Sequence, residues 1–201
     1  MKFTYFRDTK NFGGLLEKRC NCSICGYKEK CFDGEAFYGE LEVEGVCFKC
    51  LKDGKLEGTG IFSNDADVEA LYNQMVELYP NKPNDELLME AKAKIAEIEL
   101  RTPPILSWQD WKFPALDGDF CEFISFTSKT ELNELAEDGK GKEFLEKHLR
   151  VDDDNLINAE IVWYQLEDKK IENIKQTNHD CLCYLFQSRV SGKYLIIWDL
   201  I

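Results

Sequence analysis

The chain has 201 residues, of which 44% are hydrophobic and 12% aromatic, enough for a packed core, and this composition excludes a wholly disordered chain. Its net charge is −13, and the excess lies in one part: residues 1–50 carry eight basic and eight acidic side chains, whereas residues 51–201 carry 17 basic and 30 acidic ones. A surface with this much negative charge repels phosphate backbones, and we therefore expect no direct nucleic-acid binding. It would suit a basic protein partner, although a role in solubility alone also explains the charge.

No segment of the sequence has the pattern of export or membrane insertion. Met1–Asp8 contains no apolar core of a signal peptide. No stretch approaches the roughly 18 consecutive apolar residues of a transmembrane helix. We therefore expect a cytoplasmic protein without membrane contact, in which the nine cysteines stay reduced.

Two Cys-x-x-Cys pairs, Cys22/Cys25 and Cys47/Cys50, are separated by 21 residues. Each pair is typical of a tight knuckle that brings two thiolates to one ion, and two knuckles complete a tetrahedron. The spacing predicts a zinc-ribbon-like module over residues 1–55 with one structural zinc ion, because four sulfur ligands leave no position for a catalytic water. Buried free thiols and disulfides are the alternatives, and the odd number of cysteines disfavours disulfides.

Five further cysteines lie outside the two pairs. Cys20 and Cys31 flank the first pair and could compete as ligands, but neither has a partner at knuckle spacing, so we interpret them as spare thiols. The sequence assigns no role to Cys121, Cys181 or Cys183.

Two strands are predicted in the N-terminal module. The first is the short aromatic segment Phe3–Phe6. The second is Glu40–Glu44, which alternates strictly between acidic and apolar residues and is predicted to end at Gly45.

A pair of helices is predicted at about 65–100. Asn64 or Asp65 can cap the first helix, whose apolar residues recur at helical spacing until Pro80 ends it. The second is expected from about Asn84 to Leu100.

The C-terminal part, 118–201, combines strands with a helix. Ser128 and Glu131 predict a capping box that opens a helix, which pauses at glycines 139 and 141 and resumes to about residue 150. The predicted strands are Phe120–Phe126, Ala159–Leu166, Leu182–Gln187 and Lys193–Trp198. The predicted fold is therefore α+β, with the cysteine module followed by an acidic domain, 56–201, that holds the helices and a mainly antiparallel sheet. We expect both parts to form one compact unit.

Short motifs follow one another in order along nearly the whole chain: Thr4–Asp8, Asn11–Gly13, both cysteine pairs, Phe37–Gly39, Arg101–Pro103, Trp108–Gln109, Gly118–Asp119, Cys121–Phe123, Tyr184–Phe186 and Gly192–Lys193. In these motifs the chain resembles the CbrC family. The resemblance implies a small, bacterial, cytoplasmic and largely uncharacterised protein, associated with tolerance to colicins.

Two departures from that family limit what the resemblance implies. Members often have His-Cys where this chain has Leu116-Asp117, and a Cys-x-x-Cys where it has Ser188 and Ser191. If those residues form a second metal site in relatives, this chain lacks its ligands.

The sequence offers little support for an enzyme. It contains no Gly-x-Ser-x-Gly, no phosphate-binding loop and no His-Glu-x-x-His. His148 falls at a predicted helix end, where the helix dipole favours a cationic imidazole. His179 lies close to Cys181, so a Cys–His nucleophile pair is conceivable, but no oxyanion motif accompanies it.

We therefore predict a non-enzymatic protein-binding protein with a structural zinc, of the toxin-tolerance or immunity type that inhibits a basic, nuclease-like toxin. Trp108 and Trp111, in a proline-flanked loop, are the candidate aromatic anchors of the partner surface, with burial in the core as their alternative role. The alternative functions are an enzyme acting on nucleic acid or a small molecule, and a zinc-ribbon adaptor in the stress response.

Overall fold

The computed structural model describes residues 2–7, 14–107, 109–150, 159–171 and 180–200. The chain divides into two compact units. The first comprises Met1–Leu106, Trp111–Glu122 and Ser188–Ser191, and the second comprises Ser107–Asp110, Phe123–Gln187 and Gly192–Ile201. The domain limits predicted from the sequence, and the prediction of one compact unit, stay predictions.

The first unit consists of short strands and helices. In chain order these are β1 (Cys20–Asn21), β2 (Lys28–Glu29), β3 (Cys31–Asp33), a 3-10 turn (Gly34–Ala36), β4 (Tyr38–Gly39), β5 (Gly45–Cys47), α1 (Phe48–Lys52), β6 (Ile61–Phe62), α2 (Val68–Leu78), α3 (Asn84–Arg101), β7 (Ala115–Leu116) and β8 (Asp119–Phe120). The strands form two-stranded antiparallel pairs, β1 with β2, β3 with β5, β4 with β6 and β7 with β8.

The second unit combines a sheet with helices. It contains nearly all of β9 (Glu122–Thr127), followed by α4 (Lys129–Leu135), α5 (Gly141–His148), α6 (Ala159–Gln165), β10 (Cys181–Gln187) and β11 (Tyr194–Leu200). The sheet order is β11-β10-β9, and β10 pairs with β11 in antiparallel register from Cys181 opposite Leu200 to Gln187 opposite Tyr194. The predicted α+β class is confirmed.

One cluster of buried residues in the second unit lies against one face of β10. Cys181, Cys183 and Leu185 alternate along the strand and are buried. They pack with buried side chains from the helices and β11, namely Leu132, Leu145, Leu149, Val162, Leu166 and Ile196. Two of the cysteines without a predicted role thus behave as small apolar core residues.

The predicted helical pair is confirmed as α2 and α3, although α2 begins later than predicted. Its cap is Asp67, whose carboxylate accepts a hydrogen bond from the Ala70 N–H at 3.2 Å. The sequence-based choice of Asn64 or Asp65 was wrong. Tyr79 ends α2 immediately before Pro80, as predicted.

Asn64 has a different role, at the end of α3. Its side-chain amide donates to the carbonyls of Ile98, Thr102 and Pro103 at 3.4, 3.3 and 3.1 Å, and its oxygen accepts from the Ile105 N–H at 3.3 Å. A helix leaves its last carbonyls without intrahelical partners, and the buried Asn64 amide donates to that of Ile98 as well as to the two carbonyls that follow the helix.

The segment predicted as a strand at Ala159–Leu166 is helix α6, so that prediction was wrong. Its β-branched and aromatic residues favour a strand, but the burial has a period of four: Val162 and Leu166 are buried, whereas Ile161 and Tyr164 are exposed. Helical spacing places Val162 and Leu166 together in the core, and this packing overrides the local propensity.

Two further strand predictions were wrong. In Glu40–Glu44, Leu41 is exposed, so the alternating pattern has no buried face; the strand β5 begins only at Gly45. Phe3–Phe6 forms no strand beyond a single bridge at Phe6. Phe3, Tyr5 and Phe6 are all buried, which a two-residue alternation does not allow.

None of the helices in the described ranges is both long and apolar enough to cross a membrane.

The capping box of α4 is confirmed. Ser128 Oγ accepts a hydrogen bond from the Glu131 N–H at 3.3 Å and donates one to Glu131 Oε2 at 3.1 Å. Ser128 is fully buried, so no water replaces these bonds if the hydroxyl is removed.

We expect Ser128→Ala to lower the free energy of unfolding by about 1 kcal/mol, because the first turn of α4 loses its cap. Urea denaturation followed by circular dichroism measures this. The matched control is Glu134→Ala, at an exposed position of the same helix, which should change stability by less than about 0.5 kcal/mol. Equal effects of the two substitutions would contradict the capping role.

Candidate metal centre

The first cysteine pair lies in the turn between β1 and β2. The Gly26 N–H donates to the Cys22 carbonyl at 2.7 Å, and the Cys22 N–H donates to the Tyr27 carbonyl at 2.9 Å, which closes a tight loop. Gly26 has a φ of +74°, a conformation that favours glycine. This loop turns Cys22 and Cys25 towards each other.

The second pair lies where β5 passes into α1. Cys47 is the N-cap of α1, and its sulfur accepts a hydrogen bond from the Cys50 N–H at 3.5 Å. The Phe48 ring packs against Phe32 of β3 with centroids 4.6 Å apart, which fixes the start of the helix. One helical turn therefore brings the Cys47 and Cys50 sulfurs to the same end of α1.

Backbone hydrogen bonds hold the two knuckles together. Ser23, between the cysteines of the first pair, accepts hydrogen bonds at its Oγ from the N–H groups of Glu44 and Gly45, at 3.0 and 3.4 Å. Its own N–H donates to the Gly45 carbonyl at 2.9 Å, and the Cys47 N–H donates to the Cys22 sulfur at 3.3 Å. The protein itself thus places the two pairs side by side.

The four sulfurs of Cys22, Cys25, Cys47 and Cys50 all lie within 4.8 Å of one another. The Cys25 and Cys47 sulfurs are 3.9 Å apart. A tetrahedron of thiolates with metal–sulfur bonds near 2.3 Å has edges of about 3.8 Å, so the arrangement fits one ion. In the part of the chain that the structure describes, this is the one group of three or more His, Cys, Asp or Glu side chains at such distances. The structure thus brings together the four cysteines predicted as ligands.

The electrostatics of the site also suit a cation. Burial by itself raises the pKa of Cys22, but hydrogen bonds from the backbone N–H groups of Cys47, Cys25 and Ile24 outweigh it and lower the pKa to about 7. Burial raises the pKa of Cys47 and Cys50. Four thiolates this close together, three of them buried, therefore need a compensating positive charge, which a bound metal ion would supply.

Cys20 and Cys31 do not belong to the group of four. Cys31 is fully buried and lies opposite Cys47 in the β3–β5 pair. Its sulfur is 3.6 Å from the Glu29 carbonyl, and burial raises its pKa. At Gly45, a Cβ atom would lie 2.9 Å from the Cys20 sulfur, so the packing of this spare thiol requires glycine there.

The other predicted site residues lie elsewhere or outside the description. Trp108 and His179 are outside the described residues. Trp111 is half-buried. No function of either tryptophan is tested by the fold, and their role in partner binding stays a prediction.

His148 ends α5, and its surroundings differ from those expected. Its Nδ1 lies 3.0 Å from the Tyr194 carbonyl, and since a carbonyl only accepts, Nδ1 carries the proton. The ring packs at 4.5 Å from Phe144. Burial, with a smaller contribution from Lys147, lowers the pKa, so the imidazole is not held in the cationic form that the helix dipole was expected to favour.

The structure also joins Asp117 to the segment Ser188–Ser191. Asp117 Oδ2 accepts hydrogen bonds from Ser188 Oγ at 2.7 Å and Ser191 Oγ at 2.5 Å. Asp117 has a φ of +59°, which is uncommon outside glycine. Sequence reasoning missed this contact across 71 residues. No local spacing in the sequence signals it, because the partners lie far apart along the chain.

For the metal centre, we expect purified protein to contain about one metal ion per chain and Cys50→Ser protein to contain almost none, because a buried ligand is lost. Mass-spectrometric metal analysis measures the content. Cys20→Ser, which changes a neighbouring thiol outside the group, is the control and should retain the ion. Metal retained by the Cys50 variant would contradict this ligand set.

For His148, the folded protein favours the neutral imidazole, because its pKa is lowered from the usual 6.5. Below about pH 6.5 the unfolded chain binds a proton at His148 more readily than the folded protein does, so the free energy of unfolding decreases as the pH falls. Above that pH the imidazole is neutral in both states, and the contribution of His148 to stability is fully present. Urea midpoints at pH about 7.5 and about 5 should therefore differ more for wild type than for His148→Gln. The same pH dependence in both proteins would contradict this assignment.

Comparison with known families gives a match over nearly the whole chain. The model of the Uncharacterised protein family (UPF0167) matches residues 1–200. No solved structure matches the chain. Since the match covers nearly the whole sequence, the chain belongs to the uncharacterised protein family UPF0167.

Proposed function

We propose that this chain is a non-enzymatic protein-binding protein, with a structural zinc ion and a partner surface at the tip of the α2–α3 hairpin. The observation that carries the proposal is a concentration of exposed apolar side chains on an acidic pair of helices. Six of the twelve exposed large hydrophobic residues in the described ranges lie between positions 68 and 89. Larger exposed apolar patches rimmed by polar residues mark interaction sites.

The hairpin patch consists of Val76, Leu78, Tyr79, Leu88 and Met89. The last turn of α2 and the first turns of α3 carry these residues, and the short turn at 80–83 joins the two, so all five lie at one end of the hairpin. Tyr79 is 50% and Met89 68% exposed.

The packing of the hairpin does not account for these exposed side chains. The helices bury other residues, Leu71 and Met75 of α2 and Leu87, Ala91 and Ile98 of α3. The patch therefore remains available to a partner.

The charge around the patch indicates the partner's chemistry. Residues 65–101 contain nine acidic and four basic side chains. Three of the four basic ones form ion pairs with acids: Lys82 with Glu90, Arg101 with Glu97 and Lys94 with Asp119. An apolar centre inside an acidic rim suits a basic protein, whose association electrostatic attraction would accelerate.

The metal centre supports a binding role over a catalytic one. A soft set of four thiolates at tetrahedral spacing favours zinc over hard cations such as Mg²⁺. Four protein ligands close the coordination shell, so zinc here holds the two knuckles together and activates no water. We therefore propose Zn²⁺ as the cofactor.

The resemblance to the CbrC family supports a more specific version of the proposal. That family is associated with colicin tolerance, and nuclease toxins are basic because they bind nucleic acid. An acidic protein in the bacterial cytoplasm could neutralise such a toxin by covering its basic surface. Trp111 is a second candidate anchor for this contact.

The test is binding to a purified nuclease domain of a colicin, measured by biolayer interferometry. We expect Tyr79→Ala with Met89→Glu to raise Kd by at least about tenfold, because interface hot spots are centred on such residues. The matched control is Tyr164→Ala with Ile161→Glu, which changes an exposed aromatic and an exposed aliphatic residue of α6 and should leave Kd unchanged.

The ionic strength supplies a second readout. Between about 50 and 500 mM NaCl the association rate should fall steeply while the dissociation rate changes little. Wild-type protein that binds no nuclease domain would contradict the toxin proposal. If Trp111→Ala abolished binding and the hairpin variant retained it, the partner surface would lie at the loop that contains Trp111 and not at the hairpin.

A further inference from the structure

The metal centre is enclosed on one side and open on the other. Cys22 and Cys50 are each only 1% exposed, whereas Cys25 is half-exposed. A cavity of about 490 Å³ lies beside the cluster, and of the four sulfur residues it is lined by Cys25 and Cys47. Cys47 itself is 4% exposed, so Cys25 is the ligand that a molecule in the cavity reaches first.

Hydrogen bonding is also uneven among the sulfurs. Backbone N–H groups donate to the sulfurs of Cys22 and Cys47, at 3.3 and 3.5 Å. The Cys25 sulfur instead contacts another sulfur, that of Cys47, at 3.9 Å. N–H donors stabilise a thiolate and so reduce its nucleophilicity, which leaves Cys25 the more reactive of the accessible sulfurs.

The cavity has basic side chains in its wall. Lys30 and Lys49 line it, together with the single acid Glu29 and the exposed ring of Tyr27. Two ammonium groups against one carboxylate favour a reagent that carries carboxylates. They also offset the excess negative charge that four thiolates keep around one divalent ion.

We propose that Cys25 is a modification site at which low-molecular-weight disulfides bearing carboxylates open the metal centre. The Cys25 thiolate attacks one sulfur of the disulfide; the reagent's S–S bond breaks and a mixed disulfide forms. The other half of the reagent leaves as a thiolate and takes a proton from water. Cys25 is thereby oxidised and the leaving thiol reduced, so the exchange is balanced.

The modified sulfur is a poor metal ligand, so three thiolates remain and the ion is released. Since folding of such modules is coupled to metal binding, the release loosens the two knuckles. The inference rests on the proposed zinc site and adds its regulation: the ion is held through one exchangeable ligand.

The experiment uses metal-loaded full-length protein and glutathione disulfide as the probe. Zinc release is followed with a coloured chelator, and the modified cysteines are mapped by mass spectrometry. We expect the mixed disulfide at Cys25 to form at least about tenfold faster than at Cys22 or Cys50, with zinc release at the same rate as Cys25 modification.

A variant that keeps all four ligands tests the role of the cavity. Lys30→Glu with Lys49→Glu should slow the reaction with glutathione disulfide and accelerate that with cystamine, a disulfide that is cationic and lacks carboxylates. Tyr164→Ala is the control and should change neither rate.

The outcomes separate the two proposals. Protein purified without metal would overturn the structural zinc site. Metal-loaded protein that is modified equally at Cys22, Cys25 and Cys50, or not at all, would overturn the role of Cys25 and leave the site in place. Unchanged rates in the lysine double variant would overturn the recognition of carboxylates.

Discussion

The N-terminal module depends on the placing of four thiols close together in a largely buried space. The sulfurs of Cys22 and Cys47 accept hydrogen bonds from backbone N–H groups, whereas burial raises the pKa of Cys47 and Cys50. Without a cation, four thiolates within 4.8 Å of one another repel each other. If the cysteines are protonated instead, only a few hydrogen bonds join the two knuckles. A bound cation would remove the repulsion between the thiolates, so the proposed metal ion would tie the stability of the module to one site.

The second unit has a different physical basis. It is held by the burial of apolar side chains between β10 and the surrounding helices, where even Cys181 and Cys183 act as apolar residues. Its polar interior includes Tyr184, which donates a hydrogen bond to the buried Asp199 at 2.6 Å. Loss of the proposed metal ion from the first unit would remove none of these contacts. With that ion bound, the chain would combine one ion-dependent and one ion-independent source of stability.

The sequence predicted features that depend on local chemistry. The knuckles, the Ser128 capping box and the strands β10 and β11 follow from spacings of a few residues, so they were found. Segments whose conformation is set by distant packing were not: helix α6 at Ala159–Gln165 has strand-like residues, and Glu40–Glu44 has an alternating pattern without a core face to bury. The open side of the metal centre at Cys25 could not be predicted either, because the exposure of a sulfur depends on residues that meet it only in the fold.

The hydrogen bonds of Asp117 bear on how the protein can be divided. Its partners Ser188 and Ser191 belong to the first unit, although β10 before them and β11 after them belong to the second. The polypeptide therefore returns to the first unit for four residues in the middle of a hairpin of the second. No single cut yields either unit whole, and a fragment that stops before residue 188 loses both hydroxyl partners of the Asp117 carboxylate. A truncation before residue 188, which in a protein of consecutive domains would shorten one domain, here removes part of both units.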